Sequence, residues 1–218
     1  MAEFRWFGHN CFRIKSREAT ILTDPVDRAT GYLLPKQVAD IVTLSHGHPE
    51  GSNLSAVKPP FQTVSGPGEY EMHEVFLSGI HTHHDADGGK KVGHNTIYLF
   101  DVEGIRICHL GDLGHVLSEE QAEAVGDCGV LLIPAGGGDV ISPEQAAEVV
   151  TQLGPKIVIP MRFATEIGDA GLGSLETFAK ALGIPLSAPE EKLTLRSSDV
   201  VEPMRLIVLK PEAEAAKR

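Results

Sequence analysis

Short apolar runs, many of them rich in β-branched residues and most of them ended by Gly, Pro, Asp or His, recur along this chain. Runs of this length and composition predict strands, because β-branched side chains pack well on a pleated surface. Gly8-His9-Asn10 separates the first two runs and predicts a hairpin. The predicted strands cover residues 4–7, 11–15, 20–23, 41–44, 75–77, 96–102, 105–110, 130–133 and 157–159.

Helix signals come later in the chain. Ser118 and Ser142 each stand three residues before a Gln, which is the spacing of a capping box, and Pro143 fits a first helical position. A third helix is expected over 174–182, where Gly183 ends it. A strand-rich first half followed by alternating strands and helices is satisfied by two packed sheets with helices outside. The length of 218 residues favours one domain over 1–210, with a disordered tail over 211–218.

The charge and cysteine content argue against several classes of protein. A net charge of −11, a pI near 5.3 and no Lys/Arg cluster argue against binding of nucleic acid. Residues 1–12 lack the basic and apolar regions of a signal peptide, and no segment approaches the roughly 20 apolar residues of a membrane span. Three scattered cysteines without a CxxC pair indicate free thiols, so a reducing, cytoplasmic location is expected.

Histidines gather where predicted strands end. His46 and His48 follow the strand over 41–44. Three histidines with one carboxylate suit zinc, and iron or manganese less specifically. From the spacing alone, the favoured interpretation is that these histidines are solvated in loops or buried in the core and do not bind a metal. The other groups are His81, His83 and His84 in a polar, Gly-rich segment, and His109 and His115 on either side of Asp112.

Several longer segments identify a protein family more specifically through their order and spacing than any one of them does alone. They are FGHNCFRI (7–14), ILTDP (21–25), ADIVTLSHGH (39–48), GPGEYE (66–71), HHD (83–85), NTIYLF (95–100), IRICHLGDLGH (105–115), LLIPAGG (131–137) and PKIVIPM (155–161). Together they resemble the metallo-β-lactamase fold superfamily, in particular its small bacterial and archaeal metal-dependent hydrolase branch related to ascorbate-phosphate lactonase. The resemblance implies an α/β fold of the αββα four-layer sandwich type.

In that family, a loop motif His-x-His-x-Asp-His supplies ligands to two metal ions. The resemblance implies that His46, His48 and His84 bind the first ion, and that Asp112 bridges the two ions. His83 takes the place of His84 if the alignment of the loop shifts by one residue. These ligand positions are all filled by suitable side chains in this sequence.

The positions that would supply ligands to the second ion are altered in this sequence. Glu50 stands in place of the motif's Asp, Gly51 in place of its last His, and Arg162 in place of the final His after a late strand. An arginine stays protonated and cannot be a ligand. We therefore expect its guanidinium to occupy the second-ion position, in a bidentate pair with Asp112 or Glu50. Asp24 matches the family's supporting acid, which orients the ligands.

Three functions are compatible with these residues. The first, slightly favoured, is hydrolysis of a small anionic ester, lactone or phosphodiester with at most one ion per chain, zinc or else iron or manganese, to activate water. Arg162 would then hold the anion or stabilise an oxyanion, and His115 or Glu50 would move the proton. The second is a catalytically impaired pseudoenzyme that binds a small anion or a protein partner. The third is a structural role in a homo-oligomer.

Two other features are given structural interpretations. His109 alternates with Ile105 and Ile107 in a predicted strand, so it is expected to point inward and make a supporting hydrogen bond. Gly136-Gly137-Gly138 follows a predicted strand and matches no phosphate-binding motif, so it is expected to form a tight turn.

Overall fold

Two β-sheets, packed face to face through one apolar core, form the centre of the computed structural model, which describes residues 1–216. Three α-helices accompany them in the described part of the chain: α1 Glu119–Val125, α2 Pro143–Leu153 and α3 Leu175–Leu182. The strands are β1 Ala2–Trp6, β2 Phe12–Lys15, β3 Thr20–Thr23, β4 Tyr32–Leu33, β5 Gln37–Val38, β6 Ile41–Leu44, β7 Val57–Lys58, β8 Gln62–Ser65, β9 Gly68–Met72, β10 Val75–His83, β11 His94–Val102, β12 Ile105–His109, β13 Val130–Pro134, β14 Ile157–Met161, β15 Leu193–Leu195, β16 Arg205–Leu206 and β17 Glu214–Ala215.

Each of the two sheets contains a parallel and an antiparallel part. The first has the order β15-β1-β2-β3-β6-β8, in which β3, β6 and β8 are parallel. The second has the order β16-β14-β13-β12-β11-β10-β9, in which β12, β13, β14 and β16 are parallel. All five residues of β13 are buried, because this central strand has the facing sheet on one side and helices on the other. The predicted α/β arrangement of two packed sheets is confirmed.

The local signals in the sequence place most elements correctly. Ser118 and Ser142 both form complete capping boxes, so α1 and α2 begin where they were predicted to begin. Several strands, among them β8 and β9, were not predicted, and β10 continues to His83 instead of ending at residue 77. Its second half contains glycine and polar residues that conceal the strand pattern, and it is held by antiparallel pairing with β11, from Phe76–Asp101 to His83–His94.

The two outer layers of the molecule differ. Among residues 1–216, the α-helices lie on the side of the second sheet, where α1 contacts β10, α2 contacts β13 and α3 packs on α2. The outer face of the first sheet is covered by 3₁₀ turns and short strand pairs, which bury Phe7, Leu22, Tyr32 and Val42 in a second apolar cluster. Within the described residues, no helix is both long enough and apolar enough to cross a bilayer.

The prediction of a disordered tail over 211–218 is wrong for residues 211–216. Glu214 and Ala215 pair with β4, Ala216 N donates to Gly31 O at 2.8 Å, and Glu212 N donates to Trp6 O at 2.7 Å. The polar composition of this segment concealed the pairing, because the partner strands come from the other end of the chain. Residues 217–218 lie outside the described part.

Candidate metal centre

The predicted site residues follow the C-terminal ends of strands at one edge of the two sheets. Asp24 and His46 follow the parallel strands β3 and β6 of the first sheet. In the second sheet, His84, Asp112 and Arg162 follow β10, β12 and β14, which run in the same direction. The C-terminal edge of parallel strands is where loops gather and sites form in α/β proteins. The two edges face each other, and the five side chains meet between them.

Three imidazole rings lie next to one another at this edge. The ring centroids of His46 and His48 are 5.6 Å apart, those of His46 and His84 are 5.6 Å apart, and those of His48 and His84 are 5.1 Å apart. Oδ2 of Asp112 lies 3.3 Å from Nε2 of His84 and 3.5 Å from Nε2 of His46. His83 is not part of this group, because side chains alternate along β10 and its ring lies on the opposite face. The structure therefore brings together the four residues that the sequence predicted as ligands.

A chain of hydrogen bonds fixes the orientation of His46. The carboxylate of Asp24 accepts from Ser45 N at 2.7 Å and from Ser45 Oγ at 2.6 Å. Because the hydroxyl proton goes to Asp24, Ser45 Oγ accepts from Nδ1 of His46 at 2.8 Å, which leaves a lone pair on Nε2. Burial lowers the pKa of His46 to about 4, so the ring is neutral at pH 7. Burial also raises the pKa of Asp24 to about 7, against the hydrogen bonds from Ser45.

His48 is oriented in a similar way by the loop between β10 and β11. Its Nε2 lies 2.9 Å from the carbonyl oxygen of Val92, to which it donates, so Nδ1 carries the lone pair. Metal-binding histidines commonly donate their second ring nitrogen to a carbonyl or carboxylate, which fixes the tautomer. That loop is organised by Asp85, whose carboxylate accepts four backbone N–H groups from residues 87, 89, 91 and 92.

Asp112 divides its two oxygens between different partners. Oδ1 accepts from Asn10 Nδ2 at 2.6 Å and contacts Nη1 of Arg162, whereas Oδ2 faces His46 and His84. Burial raises the pKa of this carboxyl, but the guanidinium of Arg162 and then the nearby imidazoles hold the net pKa well below its usual range. Asp112 is therefore an anion at neutral pH, with one oxygen directed at the imidazole nitrogens.

Arg162 contacts Asp112 as expected, but the pair is not bidentate and Glu50 is not its partner. Nη1 contacts Asp112, and Nη2 donates to Asp139 Oδ1 at 2.7 Å. Burial lowers the pKa of Arg162, but the charges of Asp112 and Asp139 raise it above its ordinary value. Nη1 also lies 3.5 Å from Nε2 of His84, so a fixed positive charge stands next to the three imidazoles.

Asp139 is the site residue that sequence reasoning missed. It follows Gly136-Gly137-Gly138 in the loop after β13, and its Oδ2 lies 3.4 Å from Nε2 of His84. The neighbouring ring of His84, followed by the charge of Arg162, holds the pKa of this carboxyl well below its usual range against partial burial. An acid after the C-terminal end of a central parallel strand was the available signal.

The surroundings of Gly51 and Glu50 bear on the expectation that a second ion has lost its ligands. A Cβ atom on Gly51 would lie 2.9 Å from Cε1 of His46 and 3.3 Å from Cβ of Asp24, so the closely packed ring of His46 excludes a side chain. Glu50 Oε2 is buried, and no hydrogen-bond partner for it occurs among residues 1–216. The guanidinium of Arg162 already pairs with Asp112, the carboxylate that was expected to bridge to a second ion.

His115 does not point to the centre. Its Nε2 accepts from His83 N at 3.2 Å, and its Nδ1 donates to Val116 O at 2.8 Å. Both ring nitrogens are therefore bound to the backbone, and this geometry gives no support to a role in proton transfer. His109 makes the kind of supporting bond that was expected, with Nε2 3.0 Å from the carbonyl oxygen of Asn10.

The chemistry of the donors fits one divalent ion. Nε2 of His46 is buried, has no hydrogen-bond partner within the described residues, and lies 3.5 Å from the carboxylate of Asp112. The lone pair of this neutral nitrogen and the carboxylate oxygen are both hydrogen-bond acceptors, and they face each other with no proton between them. A cation placed between them would interact favourably with both. Imidazole nitrogens and one carboxylate are a donor set that zinc accepts, and also iron or manganese.

Comparison with known proteins agrees with this geometry. A family model described as the β-lactamase superfamily domain matches residues 3–162. A UPF0173 protein of Pyrococcus abyssi is 27% identical over 195 residues, which cover 81% of this chain and 89% of the relative. A UPF0173 metal-dependent hydrolase of Lysinibacillus sphaericus is 26% identical over 195 residues, covering 75% of this chain and 86% of the relative.

A solved structure gives the same result. A metallo-β-lactamase superfamily protein of Thermotoga maritima is 35% identical, has a TM-score of 0.78, and covers 96% of this chain and 98% of its own. The resemblance to the metallo-β-lactamase fold superfamily, inferred from the segments over residues 4–161, is thus confirmed. The chain belongs to the β-lactamase superfamily and has the metallo-β-lactamase fold.

Proposed function

We propose that this protein is a hydrolase that uses one metal ion to cleave a small anionic ester, lactone or phosphodiester. The observation that carries the proposal is that Nε2 of His46 and Nε2 of His84 face the same oxygen of Asp112. The names of two relatives support it, since the Lysinibacillus sphaericus relative is called a metal-dependent hydrolase and the Thermotoga maritima structure a Zn-dependent one. The nearer relation to ascorbate-phosphate lactonase stays a prediction.

His46, His48, His84 and Oδ2 of Asp112 would hold the ion, which is zinc, iron or manganese. A divalent ion in such a site supplies Lewis acidity, which polarises a carbonyl or phosphoryl oxygen and makes water more acidic. The protein holds the donors in place beforehand through the bonds of His46 to Ser45 and of His48 to Val92, so little reorganisation is needed.

Arg162 and Glu50 are the residues proposed to act on the substrate. Arg162 can bind an anionic group once Asp139 releases Nη2, and the 48% exposure of the Asp139 side chain allows it to be displaced. Glu50 has a buried carboxylate oxygen without a hydrogen-bond partner in the described chain, which makes it the candidate to take up a proton from water. His115 has no comparable free nitrogen.

Metal analysis together with turnover tests the proposal. The purified chain and the variants His46→Asn and His73→Asn should be loaded with zinc, iron or manganese and assayed on a p-nitrophenyl phosphodiester, a lactone and a thioester. His73 is the matched control, because it is an exposed histidine at a turn outside the site, with a φ of 51° that Asn also adopts. The expected result is activity that depends on metal, is lost in His46→Asn and is kept in His73→Asn. A chain that takes up none of these ions would overturn it.

A second function is favoured by one specific observation. Arg162 already pairs with both Asp112 and Asp139, so these two carboxylates have a cationic partner without any metal ion. The same pocket could therefore serve a pseudoenzyme that binds a small anion or a protein partner. Metal bound at His46, His48 and His84 without turnover on any of the three substrate classes would select this alternative. A cytoplasmic location, the absence of nucleic-acid and membrane partners and a homo-oligomeric state remain proposals.

A further inference from the structure

Three histidines lie on the face of the β10–β11 hairpin opposite to the proposed centre. Side chains alternate along β10, so Thr82 and His84 are buried while His81 is exposed and His83 is partly exposed. His94, the first residue of β11, pairs directly with His83. His81, His83 and His94 form what we call the hairpin histidine cluster.

The three rings are close enough to share one ion. The ring centroids of His81 and His83 are 4.9 Å apart, those of His81 and His94 are 4.9 Å apart, and those of His83 and His94 are 5.9 Å apart. Each residue offers one ring nitrogen that lies within 4.8 Å of those of the other two. Nε2 of His81 is 3.0 Å from Nδ1 of His94, a distance at which the two nitrogens share a proton or flank a cation.

We propose that the hairpin histidine cluster is a second metal site, separate from the one at His46, His48 and His84. The site takes one divalent first-row transition ion such as Zn²⁺, Ni²⁺ or Cu²⁺. Imidazole nitrogens prefer these ions to Ca²⁺ and Mg²⁺, which require oxygen ligands. Because His81 and His94 are exposed, water or a further ligand from outside the chain completes the coordination.

The position of the cluster gives the ion a structural role. It lies where β10 and β11 separate to form the loop over residues 84–93, so an ion bound there joins the two ends of that loop. The loop carries His84 at one end, and its Val92 carbonyl orients His48 near the other. Binding at the cluster is therefore expected to raise the melting temperature and to slow amide exchange in the loop.

Copper and zinc binding test the site. The full chain, the variant His81→Gln/His94→Gln and the control His73→Asn should be titrated with Zn²⁺ by calorimetry and with Cu²⁺ by electron paramagnetic resonance. The double variant should bind one ion fewer per chain than the other two proteins, or should bind that ion more weakly by well over roughly 100-fold. Loss of a residue that only hydrogen-bonds to a ligand weakens metal binding by up to roughly 100-fold, so a larger effect indicates that the ligands themselves were removed. Its Cu²⁺ spectrum should lose the couplings to several nitrogens.

A further variant separates the two sites. His46→Asn should keep the ion of the hairpin histidine cluster and the rise in melting temperature that it causes, whatever happens to turnover. The proposal is overturned if the double variant binds as many ions as the wild-type chain with the same affinity. It is also overturned if the only ion bound by the wild-type chain is lost in His46→Asn and kept in the double variant. Both changes in the double variant are at exposed positions, so misfolding is not expected.

Discussion

Replacement of Arg162 by Met tests whether the guanidinium substitutes for a second ion. The side chain of Arg162 is 8% exposed and that of Asp112 is 2% exposed, so the pair is almost completely buried. Met keeps much of the apolar stem but leaves the charge of Asp112 without its main counter-charge. Removing one partner of a buried pair costs about 3–5 kcal/mol. At about 2–4 °C per kcal/mol for a chain of this size, the melting temperature should fall by roughly 6–20 °C.

The assay is thermal and urea denaturation of the full chain in EDTA, followed by circular dichroism. Arg106→Met is the matched control, because Arg106 makes two bonds of 3.0 Å to Asp101 on the surface, where a pair is worth about 0–1 kcal/mol. Arg162→Met combined with Asp112→Asn should recover part of the loss, with a coupling of roughly 1 kcal/mol or more, because the unpaired charge is gone. The reasoning is refuted if Arg162→Met costs no more than the control and its effect adds to that of Asp112→Asn.

Three further predictions concern the residues around the centre. Burial raises the pKa of Asp24 to about 7, so its contribution to stability is fully present below the unfolded pKa of roughly 4 and is lost as pH rises through about 7. Asp24→Asn should therefore remove part of the fall in the free energy of unfolding between about pH 4 and pH 7, and an unchanged pH dependence of urea unfolding would contradict this. Gly51→Ala should destabilise the chain by about 1–3 kcal/mol and weaken metal binding, because the new Cβ meets the His46 ring. Urea unfolding measures the loss of stability and calorimetry with Zn²⁺ measures the loss of binding, and wild-type values in both would show that the ring can move freely. His115→Gln should leave turnover within about twofold of wild type, because both ring nitrogens of His115 are bound to the backbone. A loss of turnover with normal metal content would indicate instead that His115 transfers a proton.

Local sequence signals were sufficient for much of the fold, and the resemblance to a family supplied the candidate ligands. The apolar runs and the capping residues Ser118 and Ser142 act over a few residues, so they predict strands and helix starts without knowledge of the rest of the chain. The ordered segments that resemble the superfamily pointed to His46, His48, His84 and Asp112 as candidate ligands, and the structure places these four residues near one another.

Contacts between distant parts of the chain decided what the sequence could not show. The pairing of Arg162 with Asp139 joins the loops after β13 and β14, and the bond from His48 to Val92 spans 44 residues. Side chains alternate along β10, so that His84 points inward and His83 points outward. The choice between these two histidines as the candidate ligand therefore depends on the strand register. Residue types and local spacing determined which metal-binding side chains this protein has. Strand register and the meeting of two sheet edges determined which of these side chains lie close together, because distances between side chains depend on packing and not on separation along the chain.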